Sequence, residues 1–211
     1  MAATATLVTA AAGYLIGSIP VAGVVARRRA AIDLRAVGDR NPGYWNAKET
    51  LGRRAALPVF LGDAAKGAVA AGVGRLLVET GPWAESGHWW LGYVGAGAAM
   101  VGHAWPLFAR FRGGRSVLTF AGAVCVLSPI TAAIAITLLI AVTVATRSFA
   151  WGARVGVFSY PVVQLFTDGA HRTAATGALM SIIGLRFAMA AIGQRRRRSP
   201  PDQEPDQPDQ E

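Results

Sequence analysis

Residues 89–129 read WWLGYVGAGAAMVGHAWPLFARFRGGRSVLTFAGAVCVLSP. Two apolar runs stand either side of a short turn that carries Arg110, Arg112 and Arg115 around the pair Gly113-Gly114. The runs are those of membrane helices, and the turn is too small and too charged to be anything but a surface connection between them. Two glycines permit positive φ, so that successive N–H groups can face one concavity. A helix beginning at Ser116 would aim its free N–H groups and its dipole at the same place. With arginine beside it, this is the chemistry of an anion or phosphate site. A basic loop joining two spans accounts for the stretch alone equally well.

Working outward, the same apolar pattern recurs. Segments at about 3–26, 55–78, 89–108, 117–127, 130–145, 149–166 and 173–193 predict an all-α integral membrane bundle of seven transmembrane helices. The segment 117–127 is short for a span, which implies tilt or shielding by protein. With 53% hydrophobic and 16% charged residues among 211, the composition departs from that of soluble domains, where charged residues make up roughly 25%. The net charge of +9 does not point to nucleic acid, because the charges lie between apolar segments. The single cysteine, Cys125, lies inside a segment, which excludes disulfides and cysteine-rich metal sites. It reads as an inert packing residue.

Placing the N-terminus outside puts 17 of the 21 Lys and Arg residues on the cytoplasmic side. They are Arg27–Arg29, Arg35, Arg40, Lys48, Arg53 and Arg54, then Arg110, Arg112 and Arg115, then Arg147 and Arg154, then Arg195–Arg198. Arg172 alone falls outside, and Lys66, Arg75 and Arg186 fall within segments. The expected organisation is a membrane domain over 1–194, then a basic juxtamembrane run and a disordered Pro/Asp/Gln/Glu tail over 195–211. The expected location is the cell membrane, multi-pass.

Inside the second segment, Asp63 and Lys66 stand one helical turn apart. Charges in hydrocarbon cost about 2.5–3.5 kcal/mol each, so the pair reads either as functional or as a mutually neutralising pair inside the bundle. His103 likewise reads as a packed histidine or a functional one. It has no neighbours at metal-ligand spacing, so no metal site is expected. Trp45, Trp83, Trp89, Trp90 and Trp105 lie near segment ends, as interfacial anchors do. The glycines of 92–97 fit close helix packing.

Several spaced motifs carry a family resemblance: GYLIGSIP (13–20), IDLRAVG (32–38), NPG (41–43), TLGRRA (50–55), GDAAKGAVA (62–70) and GHAWPLFARFRGGRSV (102–117). In this order they resemble the bacterial acyl-phosphate:glycerol-3-phosphate acyltransferases, membrane enzymes of phospholipid synthesis. The resemblance implies an active site on the cytoplasmic face, acyl phosphate and glycerol 3-phosphate as substrates, membrane lipids as surroundings, and no cofactor. The substrate-binding positions it implies are Asn41, Asn46, Gly113, Gly114, Arg115 and Ser116. No catalytic residue is assigned.

The sequence departs from the family pattern at definite places. Asp39 stands where the family has serine, Arg40 where it has glycine, and Glu49 where it has arginine. Arg115 replaces a lysine and Ser116 a glycine. The family's third motif, a histidine and an asparagine after the last helix, has no counterpart in GLRFAMAAIGQRRRR (184–198). A carboxylate replacing a cation reverses an interaction worth about 4 kcal/mol at 4 Å and an effective dielectric near 20. Three readings follow: the family's acyl transfer, a catalytically degenerate lipid-binding or regulatory relative, and an acyltransferase with a non-phosphorylated acceptor. A transporter would call for inverted repeats, which inspection does not find.

Overall fold

The computed structural model describes residues 2–80 and 88–198; Trp83, with the rest of 81–87, and the tail from 199 on lie outside the described residues. All of the regular structure in the described residues is helical. The first apolar segment is not one helix but two, α1 (Ala2–Gly17) and α2 (Val21–Ala30). Pro20 causes the break, since its ring removes a donor and cannot continue the ladder. The Oγ of Ser18, freed at the break and fully buried, accepts a hydrogen bond from the Leu107 amide at 3.2 Å.

The polar stretch from 31 to 54, between the first two apolar segments, contains α3 (Tyr44–Leu51). A small core of Ala22, Ala26, Leu34, Ala47, Ala56 and Val59 holds it against α2 and α4 (Arg53–Thr80). Next come α5 (Leu91–Ala104), a single 3-10 turn at Leu107–Ala109, and α6 (Val117–Leu127). The last three helices are α7 (Pro129–Thr146), α8 (Phe149–Thr167) and α9 (Ala170–Arg198). The basic run 195–198, expected to follow the membrane domain, is the end of α9 itself.

Small residues let the central helices touch. A methyl group on Gly17 would come within 2.1 Å of the Ala99 carbonyl oxygen, and one on Gly67 within 1.7 Å of that of Thr119, so α1–α5 and α4–α6 pack backbone to backbone. The main core gathers Met100, Phe120, Val124, Leu127, Tyr160 and Leu179 from α5, α6, α8 and α9. Large apolar side chains instead cover the outside: Phe166 is 84% exposed and Val144 72%. That is an inside-out surface for water and an ordinary one for lipid. Cys125 belongs to this outer face, exposed on α6, and is not the interior packing residue its apolar surroundings implied.

Among the described residues, four stretches are long and apolar enough to cross a membrane by themselves: Ala2–Ala30, Arg53–Glu79, Pro129–Thr146 and Ala170–Arg195. The eleven-residue α6 is not. Much of it is buried against its neighbours, so protein covers its ends where lipid could not.

Candidate active site

The loop after α5 lines a cavity of about 250 Å³ with Pro106, Phe108, Ala109, Arg110, Arg112, Gly113 and Gly114. The loop is held by its own hydrogen bonds, with the Ala109 and Phe111 amides both donating to the Pro106 carbonyl at 3.1 and 2.9 Å. Arg110, Phe111 and Ser116 take positive φ, at 56°, 59° and 62°, uncommon for residues with a Cβ. Gly113 and Gly114 do not, which corrects the expectation that they supply the left-handed turn. They are glycines because of what they touch. A Cβ on Gly113 would lie 2.0 Å from the His103 carbonyl oxygen, and one on Gly114 2.3 Å from His103 Nε2.

From α9, Arg186 reaches both glycines, donating from Nε to the Gly114 carbonyl at 3.0 Å and from Nη2 to the Gly113 carbonyl at 2.9 Å. Its guanidinium also lies over the Trp105 ring. Such charge-assisted bonds are the stronger class, and two from one planar group also fix orientation. The stretch 184–198, where no motif is recognisable, thus supplies the clamp that holds the Gly-Gly turn.

Charge in the cavity is unbalanced. Arg27, Asp33, Arg35, Asp63, Lys66, His103, Arg110, Arg112, Gly113 and Gly114 are among its lining. Both carboxylates are already engaged. Asp33 pairs with Arg35 at 2.7 Å, and this bonding pulls its carboxyl from the ordinary 3.8 down to about 2. The same bonds raise the Arg35 guanidinium above its ordinary value. Asp63 pairs with Lys66 at 2.8 Å, both buried. Among the described residues, Arg27, Arg110 and Arg112 have no carboxylate partner, and all three are exposed at the mouth. Arg35 also donates to the Ala109 carbonyl at 3.3 Å, joining the first loop to the central turn.

Of the six positions expected to bind substrate, Gly113 and Gly114 line this cavity. Asn46 is buried beneath the first loop, its amide donating to the Leu34 and Val37 carbonyls at 2.9 and 3.0 Å. Asn41 sits beside Asp39, whose carboxylate accepts from the Asn41 amide at 3.1 Å. The Ser116 hydroxyl is buried and donates to the Met100 carbonyl at 2.7 Å, fixing the start of α6. Arg115 adjoins the glycines, with Nη1 bonded to Asp39 at 3.1 Å and its guanidinium over Phe187. Its Nε is buried and unpartnered among the described residues. Glu49 points away, 3.1 Å from Lys48 on the exposed side of α3.

Sequence reasoning assigned no part here to Arg27, Arg35 or Arg186. The first two were counted as topogenic charge, and only the excess of arginine hinted at more. Arg186 could have been flagged as a cation inside an apolar segment. A second cavity, of about 360 Å³, has Arg75, Glu79, Trp89, Asp168 and Arg172 in its lining. There the end of α4, the start of α5, the residue after α8 and the start of α9 meet.

The sequence model of the glycerol-3-phosphate acyltransferase family matches residues 7–197. A glycerol-3-phosphate acyltransferase of Bordetella pertussis is 37% identical over 172 residues, spanning 81% of this chain and 77% of that one. One from Desulforudis audaxviator is 32% identical over 196 residues, spanning 93% and 91%. The fold is that of the crystal structure of PlsY, an integral membrane glycerol 3-phosphate acyltransferase, in its glycerol 3-phosphate form. That match has a TM-score of 0.73 at 24% identity, over 92% of this chain and 94% of the other. With the apolar outer surface and the long apolar stretches, this is a multi-pass integral membrane protein.

Proposed function

This chain belongs to the glycerol-3-phosphate acyltransferase family, and from that premise we propose that its cavity transfers an acyl group from an acyl phosphate to glycerol 3-phosphate. One observation carries the reading: three guanidinium groups without carboxylate partners among the described residues share with the Gly113-Gly114 turn a cavity whose two carboxylates are already paired. Such a site attracts multiply charged anions, and both substrates carry phosphate.

In the reaction, the hydroxyl oxygen of glycerol 3-phosphate forms a bond to the acyl carbonyl carbon, and the bond from that carbon to the phosphate oxygen breaks. The phosphate leaves with the electron pair and takes up the hydroxyl proton, since without it phosphate would be a strongly basic trianion. Fixed cations already aimed at the leaving phosphate stabilise it with no reorganisation during the reaction. Arg110 and Arg112 at the mouth, with Arg27 across from them, are placed to bind the charged groups. The Gly-Gly turn leaves room for the phosphate beside His103, and the acyl chain lies between helices on the lipid side.

The organisation of the chain follows the same reading. Seven crossings are α1 with α2, then α4, α5, α6, α7, α8 and α9, with the N-terminus outside and the C-terminus cytoplasmic. The bias of 17 basic residues supports this orientation, and so does the gathering of four of those arginines at one cavity. Residues 1–194 then make the membrane domain, and the basic end of α9 and the acidic tail lie in the cytoplasm.

Steady-state kinetics on the purified protein in nanodiscs tests the cavity. Arg112→Ala and Arg27→Ala should each raise a substrate KM by roughly ten- to a hundredfold, as the loss of a charge-assisted hydrogen bond does. Unchanged KM values in both variants would remove the cavity from the reaction. Degenerate binding without turnover remains the second reading, because Asp39 occupies Arg115.

A further inference from the structure

We propose that the buried Asp63–Lys66 pair locks the tautomer of His103, so that the ring presents an Nε2–H donor to the phosphate-bearing ligand at the Gly-Gly turn. The three side chains come from α4 and α5, are 2%, 5% and 7% exposed, and all line the cavity. Lys66 Nζ donates to Asp63 Oδ1 at 2.8 Å and lies 3.4 Å from His103 Nδ1. The Asp63 oxygen is 3.6 Å from Nδ1, too far to take a proton from it by hydrogen bonding.

An ammonium group has protons to give and no lone pair to offer. The Nδ1 atom that faces it can only accept. A neutral imidazole that accepts at Nδ1 carries its proton on Nε2. Nε2 is the ring atom set against Gly114, close enough that a methyl group there would stand 2.3 Å from it. The backbone of the same histidine receives the Gly114 amide at 3.1 Å, which ties the ring and the turn into one unit. The buried charges therefore act at one remove. Asp63 holds Lys66, Lys66 sets the ring, and His103 supplies a directed donor at the inner end of a site whose arginines lie at the mouth. Asp63 and Lys66 are positioning residues, and His103 is the group that touches the ligand. The inference rests on the proposed reading of the cavity as a phosphate site.

The test is nitrogen NMR on protein with 15N-labelled histidine in nanodiscs. His88, His103 and His171 are the three signals, and His103→Gln identifies the one that matters. The native protein at neutral pH should show His103 neutral and protonated on Nε2, and inorganic phosphate should shift that nitrogen. Removing Lys66 alone would strand a buried carboxylate, so the variant used is the double change Asp63→Asn with Lys66→Met, which leaves an uncharged pair. It should fold, show both His103 tautomers, and bind phosphate about tenfold more weakly. A native His103 protonated on Nδ1, or a double variant with the native tautomer and affinity, would overturn the proposal. Acyl transfer measured on the same native sample separates the two claims. No transfer with an intact phosphate-dependent shift defeats the reaction alone, and transfer with Nδ1-protonated His103 defeats the tautomer lock alone.

Discussion

At 3.1 Å the Asp39 carboxylate of the first loop takes one arm of the Arg115 guanidinium. Arg115 and Asp39 are 21% and 33% exposed, so water weakens the pair to about 1 kcal/mol. Asp39→Ser should free the guanidinium and raise affinity for glycerol 3-phosphate by about fivefold in calorimetry. Glu49→Arg should change nothing, because Glu49 faces solvent beside Lys48. The sequence reads these two carboxylates as equivalent losses, and only the fold separates them. A fall in affinity on Asp39→Ser would mean that the carboxylate helps hold substrate. Asp33 gives a second residue-scale expectation. Its folded value of about 2 lies below the unfolded 3.8, so its contribution is present above pH 3.8 and is lost as pH falls through about 2. The carboxyl carbon of Asp33 should therefore titrate near 2 in NMR; a midpoint near 4 would show that the Arg35 pair does not persist.

Among the elements, α9 shows how far a local reading can miss. Its sequence is an apolar run ending in arginines, and nothing in it marks Arg186 as the partner of carbonyls more than 70 positions earlier. That contact arises from helix packing, which no spacing rule reports. Arg186→Ala should lower kcat/KM for acyl transfer by at least tenfold, and Arg186→Lys should recover part of it, since lysine restores charge but not the fork. Equal losses in both variants, with unchanged helix content by circular dichroism, would contradict a contribution from the charge; no loss in either would leave the clamp idle. The apolar segments themselves were legible because lipid demands length and apolarity of each. The break at Pro20 was not placed, although the proline was in view, and α3 was hidden because its support comes from α2 and α4. The turn at 113–114 was recognised as glycine-dependent for the wrong cause: close approach to His103, not positive φ.

For the whole molecule, the charge asymmetry of the loops motivates the proposed orientation, with the N-terminus outside and the C-terminus cytoplasmic. A reporter active only in the cytoplasm, fused after Arg198, should be active, and one active only outside the cell should be silent there. The reverse pattern would turn the basic cavity outward, away from any cytoplasmic acyl donor. The family could be read from ordered motifs between residues 13 and 117, and the membrane fold from segment lengths and charge placement, whereas the pairing of charges within the cavity could not. Asp63, Lys66 and His103 were each visible as oddities in apolar surroundings, and their union needed α4 and α5 side by side. The most direct test of the central claim is ester formation by the purified native protein in nanodiscs, supplied with acyl phosphate and labelled glycerol 3-phosphate. The account predicts acylated glycerol 3-phosphate with one inorganic phosphate released for each ester formed; tight binding of both substrates with no ester would contradict it.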